Sequence, residues 1–124
     1  MVADSKLMAF LATVRPDDAR DFYSRVLGLT LVEETPFALV FDASGTSLRL
    51  QKVERVLVQP YTSLGWQVAD IHKTLERLEA SGVVAERFEG LDQDKVGIWS
   101  APDGTAIAWF KDPDGNLLSL TEVR

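Results

Sequence analysis

The sequence has no cysteine and one histidine, His72. Without cysteine there are no disulfides, no thiolate nucleophile and no Cys-based metal site. One imidazole per chain is also too few for a 2-His-1-carboxylate iron centre. No apolar run approaches the roughly 20 residues that cross a bilayer. The first residues, Met1 to Lys6, lack the charged head and small-residue cleavage site of a signal peptide, so a cytoplasmic protein with no membrane partner is expected. Basic side chains are outnumbered, 13 Lys and Arg against 19 Asp and Glu for a net charge of -6. That balance argues against a nucleic-acid partner, which needs a concentration of cations on one face. It suits either a cationic ligand or simple solubility. No GxGxxG or P-loop lysine motif is present. Ser63 and Ser119 have no histidine placed to activate them as nucleophiles, and nothing singles out a lone Glu or Tyr23 as an acid-base group.

What the chain does contain, it contains twice. Val14 leads through an acidic amphipathic stretch to Gly28, and Val68 leads through another to Gly82, at the same separation of fourteen. Phe41-Asp42-Ala43-Ser44-Gly45 runs into Leu48-Arg49-Leu50, and Phe110-Lys111-Asp112-Pro113-Asp114-Gly115 runs into Leu118-Ser119-Leu120. A repeat of this size marks two copies of one supersecondary unit. With 124 residues, 46% of them hydrophobic, one proper core is affordable. A single domain, 1–124, built of modules at about 1–55 and 61–124, is the expectation.

Each module reads strand, helix, then strands. In the first helix Pro16, Asp17 and Asp18 suit the opening turn, Ala19, Phe22, Tyr23 and Val26 form one apolar stripe, and Gly28 suits a left-handed stop. In the second, Asp70 is the N-cap, Ile71, Leu75 and Leu78 form the stripe, and Gly82 closes it. Strands are expected at 7–14, 29–35, 37–42 and 47–52, then at 63–68, 83–88, a short piece within 96–100, 106–111 and 117–123. The sequences Pro102-Asp103-Gly104 and Pro113-Asp114-Gly115-Asn116 are turns, and 53–62, with Pro60, is the connection between modules.

The run Ala19-Arg20-Asp21-Phe22-Tyr23-Ser24-Arg25-Val26-Leu27-Gly28-Leu29, the later Gly65-Trp66-Gln67-Val68-Ala69-Asp70-Ile71, and Ala108-Trp109-Phe110-Lys111-Asp112-Pro113-Asp114-Gly115-Asn116-Leu117 resemble the vicinal oxygen chelate superfamily. That is the group of glyoxalase I, extradiol dioxygenases and bleomycin-resistance proteins. The resemblance spans essentially the whole chain; it is specific for the fold and nearly silent about the reaction. It implies an α+β fold of two βαβββ modules, helices outside, whose curved sheets make an eight-stranded cup, usually completed in a homodimer.

The resemblance also implies where a divalent metal would be held, at one position on the first and one on the last strand of each module. Those positions fall on Met8, or Ala9 if the alignment slips by one, and on Arg49, Ser63 and Ser119. None is a normal ligand for zinc, iron, nickel or manganese, so no metal and no other cofactor is expected. His72 follows the cap Asp70 on an outer helix and reads as a solvated surface residue. A carboxylate-only magnesium or calcium site stays open, because Asp and Glu are plentiful, although no Asp-x-Asp cluster points to one.

If the four positions face the cup, alternation brings their i±2 neighbours with them, giving Met8, Phe10, Arg49, Gln51, Ser63, Gln67, Ser119 and Thr121. Leu48, Leu50, Leu64, Trp66, Val68, Leu118 and Leu120 then belong under the helices. A lining of a few polar groups with Met and Phe is either an organic-ligand site or a pocket shrunk to a hydrogen-bonded core. Arg49 needs either a structural carboxylate or an anionic ligand group. Trp99 and Trp109 either stack on a flat ligand or belong to the core. Glu86, Glu89, Asp92 and Asp94 form an acidic patch, solvated or attracting a basic ligand.

Three functions remain. The leading one is a metal-free binding protein for a small organic molecule, a drug or metabolite, in a homodimeric cleft. The second is a metal-dependent lyase, isomerase or dioxygenase of the same superfamily. The third is an interaction or regulatory domain without a ligand.

Overall fold

The alternation Leu48-Arg49-Leu50-Gln51 is that of a strand with one covered face. In the computed structural model, which describes residues 1–124, it lies in the last strand of the first of two units, Met1–Leu57 and Val58–Arg124. The first unit contains β1 (Met8–Thr13), α1 (Pro16–Asp21) running into a π turn (Phe22–Val26), β2 (Thr30–Glu34), β3 (Ala38–Ala43) and β4 (Thr46–Lys52). The second contains β5 (Leu64–Gln67), α2 (Ile71–Ala80), β6 (Trp99–Ser100), β7 (Ala106–Lys111) and β8 (Leu117–Glu122). The sheet orders are β1-β4-β3-β2 and β5-β8-β7-β6. In each, the outer first strand runs parallel to the last and the other pairs are antiparallel. This is the α+β fold of two βαβββ modules read from the repeat. No helix is long and apolar enough to cross a membrane.

In the first unit one sheet face is apolar and covered. Leu39, Phe41, Leu48 and Leu50 are buried there together with Ala19, Phe22 and Tyr23 of the helical segment, and the Tyr23 and Phe41 rings lie 5.7 Å apart. Each such side chain removed from water contributes roughly 1.5–3 kcal/mol. Arg20 of α1 closes the edge of this layer with a two-pronged bond to Glu34 at 2.8 and 2.7 Å, and Lys52 reaches the same carboxylate at 3.0 Å. In the second unit Ile71, Leu75 and Leu78 are buried on α2, which packs on β7 and β8, where Ala108, Phe110, Leu118 and Leu120 are buried.

The ends of the helices follow the expected chemistry with one difference. Asp70 caps α2 by accepting the Lys73 amide at 3.1 Å, and Glu122 accepts the Ile71 amide at 3.0 Å. The first helix stops being α-helical at Asp21. The Leu27 amide reaches back five residues to the Phe22 carbonyl at 2.9 Å, a widened turn in which the adjacent Phe22 and Tyr23 are both buried, edge to face at 5.2 Å. Between β3 and β4, Ser44 (φ 52) and Gly45 (φ 93) form a two-residue hairpin loop with both φ angles positive, the geometry that matches strand twist.

The expected strand at 83–88 does not form, and the piece within 96–100 shortens to β6. Only the Glu86 amide bonds to the sheet, to the Trp109 carbonyl at 2.7 Å. Several of the remaining backbone groups, here and in the loop that follows, are taken by side chains. Gln93 donates to the carbonyls of Glu86 (2.9 Å) and Gly97 (2.8 Å) and accepts the Phe88 amide (2.8 Å). Arg87 binds the carbonyls of Asp94, at 2.6 Å, and Lys95. Asp94 accepts the amides of Val96 and Ile98 at 3.0 and 2.9 Å. Side-chain bonds of this kind satisfy the backbone in place of a ladder.

Candidate functional site

The face of the first sheet opposite α1 is defined by register. Phe10 lies beside Arg49 and Met8 beside Ser47 across β1 and β4, while Val40 flanks Arg49 and Ala38 flanks Gln51 across β3 and β4. Residues directly opposite share a face, so Met8, Phe10, Arg49 and Gln51 lie together on it, as expected from alternation. Phe10 is 53% exposed, whereas Val40 is only 8% exposed. Arg49 is half-buried. Its side chain makes no hydrogen bond and no ion pair within the chain: the four other groups around it are Phe10, Val40, Ser47 and Gln51, none of them acidic. Asp42 shares the face diagonally, but its carboxylate accepts the Gly45 amide at 3.1 Å. The structural salt bridge open to Arg49 in the sequence is therefore absent from the chain.

Against Val40 and Ser47, the neighbours of Arg49 on this face, lies a hollow of about 390 Å³ lined by Lys6, Leu7, Met8, Val32, Val40, Phe41, Asp42, Gly45 and Ser47, with Arg49 just outside the lining. Of these the sequence reading named only Met8 as a site residue. It followed the outer and last strands and left out β3, whose inward positions follow from counting back across the Ser44-Gly45 loop.

On the second sheet, Trp109 pairs with Ser119, Ser119 with Gly65, Ile107 with Thr121, Thr121 with Gln67, and Trp99 with Ile107. Trp99, Trp109, Ser119, Thr121 and Gln67 thus share the face opposite α2, and Trp66 lies on the other side with Leu120. Ser63 precedes β5 and is exposed, its amide donating to the Leu117 carbonyl at 2.9 Å. Ser119 is 7% exposed. A Cβ at position 65 would stand 2.4 Å from its Oγ, so the absence of a side chain at Gly65 gives that hydroxyl its room. The Trp109 indole donates to Thr62 at 3.1 Å and its ring meets Phe88 edge-on at 5.3 Å. Both contacts hold Trp109 as part of a wall. Ile107 and Lys111 on this face were missed in the sequence, again because β7 was not counted from its hairpin.

The remaining candidates separate from these two faces. His72 is exposed on α2, near Glu76 and Glu79. Of the acidic patch, Asp94 is engaged as a loop cap and Glu86 pairs with Lys111 at 3.4 Å. No group of three or more His, Cys, Asp or Glu side chains is placed to hold a metal ion.

Paired units of identical topology with one polar-and-apolar face each define a class of two-module α+β proteins. Within that class, the family model described as "Glyoxalase/Bleomycin resistance protein/Dioxygenase superfamily" matches residues 7–120, and the chain belongs to this superfamily. No curated protein matches it significantly. Among solved structures, the fold is similar to a glyoxalase family protein from Bacillus anthracis, at TM-score 0.75 and 14% identity, over 98% of this chain and 96% of that one. It is similar to lactoylglutathione lyase from Agrobacterium tumefaciens, at TM-score 0.74 and 19% identity over 96% and 93%. It is also similar to an antibiotic-binding protein from Streptomyces sp. CB03234, at TM-score 0.73 and 22% identity over 100% and 99%.

The divalent metal of the superfamily's enzymes can be tested against the residues present. Met8 and Arg49 on the first sheet, and Ser63 and Ser119 in the second unit, supply a thioether, a permanent cation and two hydroxyls. A thioether alone is a soft donor, a guanidinium repels a divalent ion, and hydroxyls are poor ligands for it. This donor set does not fit a transition metal.

Proposed function

We propose that this protein binds a small organic molecule, a drug or metabolite, without a metal and without covalent chemistry, and that it does so as a homodimer. On this reading Met8, Phe10, Arg49 and Gln51 are the binding face of the first unit, and Ser63, Gln67, Trp99, Trp109, Ser119 and Thr121 that of the second. One observation carries it: a half-buried guanidinium without a partner in the chain lies on the face opposite α1, at a position to which the resemblance assigns a metal ligand. A charged group kept partly out of water without compensation is costly unless something else meets it. Around it stand apolar walls and an uncharged amide, the mixture that gives a ligand affinity from its walls and orientation from its polar groups. A fold of this kind is compatible with such work, since the similar Streptomyces protein is named for binding an antibiotic.

Three measurements on the intact chain test the proposal. Elemental analysis of protein purified without chelator is expected to give no stoichiometric zinc, iron, nickel or manganese; a full equivalent, lost on replacing Arg49 or Ser119, would favour the metalloenzyme. Thermal-shift screening of drug-like and metabolite libraries is expected to find stabilising compounds that isothermal titration then confirms, with the absence of any hit counting for the ligand-free domain. Sedimentation at micromolar concentration is expected to give twice the 13.7 kDa chain mass.

A further inference from the structure

We infer that the hollow beside Arg49 on the first sheet is built for an organic monoanion with an apolar body, of the aryl or alkyl carboxylate class. The inference rests on the small-molecule reading above and deepens it. Arg49 follows Ser47 by two positions on the same face of β4 and lies directly across from Val40. Ser47 and Val40 both line the 390 Å³ hollow, with Met8, Leu7 and Val32 completing its apolar wall. That volume falls within the roughly 300–1,000 Å³ of small-molecule sites. A ligand whose anionic end meets Arg49 would therefore lay its body along Val40 and Met8 into the hollow.

The sign of the ligand group follows from the cations. A guanidinium has donors only and keeps its charge at any physiological pH, so its partner must accept hydrogen bonds and gains from negative charge. Planar carboxylate oxygens match its two-pronged geometry. Lys6 adds a second cation at the rim. Asp42 also lines the hollow, its Oδ1 accepting the Gly45 amide, and its charge offsets that of Lys6, which leaves Arg49 to set the sign. The number of ligand charges follows from the whole chain, since a net charge of -6 opposes the approach of a multiply charged anion. The apolar part of the walls, Leu7, Met8, Val32 and Val40, gives an inorganic anion little to bind.

Naphthoate and its neutral isostere naphthamide, titrated calorimetrically into the full chain, test the inference, with inorganic phosphate as a third probe. Naphthoate is expected to bind at least about tenfold more tightly than naphthamide, the discrimination of a charge-assisted hydrogen bond, and phosphate not detectably. Arg49→Met should remove the preference for naphthoate, and Arg49→Lys should retain part of it. Val32→Trp, which fills the hollow from an exposed position, should weaken both aryl probes alike. Melting temperatures of the variants report that the fold is kept. Equal affinity for naphthoate and naphthamide, or an undiminished preference in Arg49→Met, would overturn the anion class while leaving small-molecule binding in place. Phosphate binding as tight as naphthoate would replace it with an inorganic-anion site. If neither aryl probe binds, the inference falls and the reading it rests on loses its support in this unit.

Discussion

Glu34 holds two cations at once, Arg20 from the helix and Lys52 from β4, across the intervening β3, at 2.7 and 3.0 Å. Hydrogen bonds from Arg20, then from Lys52, lower its carboxyl from 4.5 to about 2. A folded-state value below the unfolded one means that this stabilisation is complete above about 4.5 and is lost as the pH falls toward about 2. The carboxylate is part-exposed, so the effect is modest. Replacing Glu34 by Gln should lower the melting temperature at neutral pH and flatten its decline between pH 4.5 and 2 relative to the parent; parallel melting profiles would show that the network contributes nothing. The sequence could not reveal this cluster, because its members stand 14 and 18 residues apart and only packing of α1 on the sheet joins them. Arg49 was legible in a different way. Its face followed from the alternation of Leu48 and Leu50, but the absence of a counterion followed only once Val40, rather than an acid, was found across from it.

Among the elements, the helices were legible to within a turn, because a cap such as Asp70 and a stop such as Gly82 are local signals. The segment 83–98 was not. Val83 to Phe88 is largely β-branched or apolar, like a strand, yet Gln93, five residues beyond Phe88, takes the Phe88 amide and the Glu86 carbonyl that a ladder would have used. Periodicity in the strand segment carries no trace of that competition. Gly97 is where the loop folds back on itself: it has φ +99, and a Cβ there would lie 2.6 Å from the Cβ of Ala85. Gly97→Ala combines a left-handed backbone cost of about 1–2 kcal/mol with an overpacking cost of about 1–3 kcal/mol. A loss of about 2–5 kcal/mol in urea unfolding is expected. Gly28, also left-handed but with nothing within 4 Å of its Cβ position, serves as the control. Gly28→Ala should cost only the backbone share, and equal losses at the two positions would mean that the loop gives way at Ala85.

For the molecule as a whole, the duplicated pattern was the most legible feature, since two copies of one strand-helix-strand signal reinforce each other where either alone is ambiguous. The faces opposite the helices were half legible: the outer and last strands and Trp109 were placed, whereas Ala38 and Val40 of β3 and Ile107 and Lys111 of β7 waited for the hairpin registers. The parallel pairing of β1 with β4 and of β5 with β8 carries a consequence in time. In each unit the hairpins are near neighbours in sequence, but the parallel pair joins residues about forty or more apart and repays its loop closure late. The site face of the first unit therefore exists only after the slowest contact has formed, because Phe10 arrives beside Arg49 with β1. Pulse-labelled hydrogen exchange during refolding should find amides of the β3–β4 and β7–β8 hairpins protected before those of β1 and β5, and simultaneous protection would mean that each sheet condenses in one step. A chain caught midway would have built Arg49 its strand and left it without Phe10 at its side.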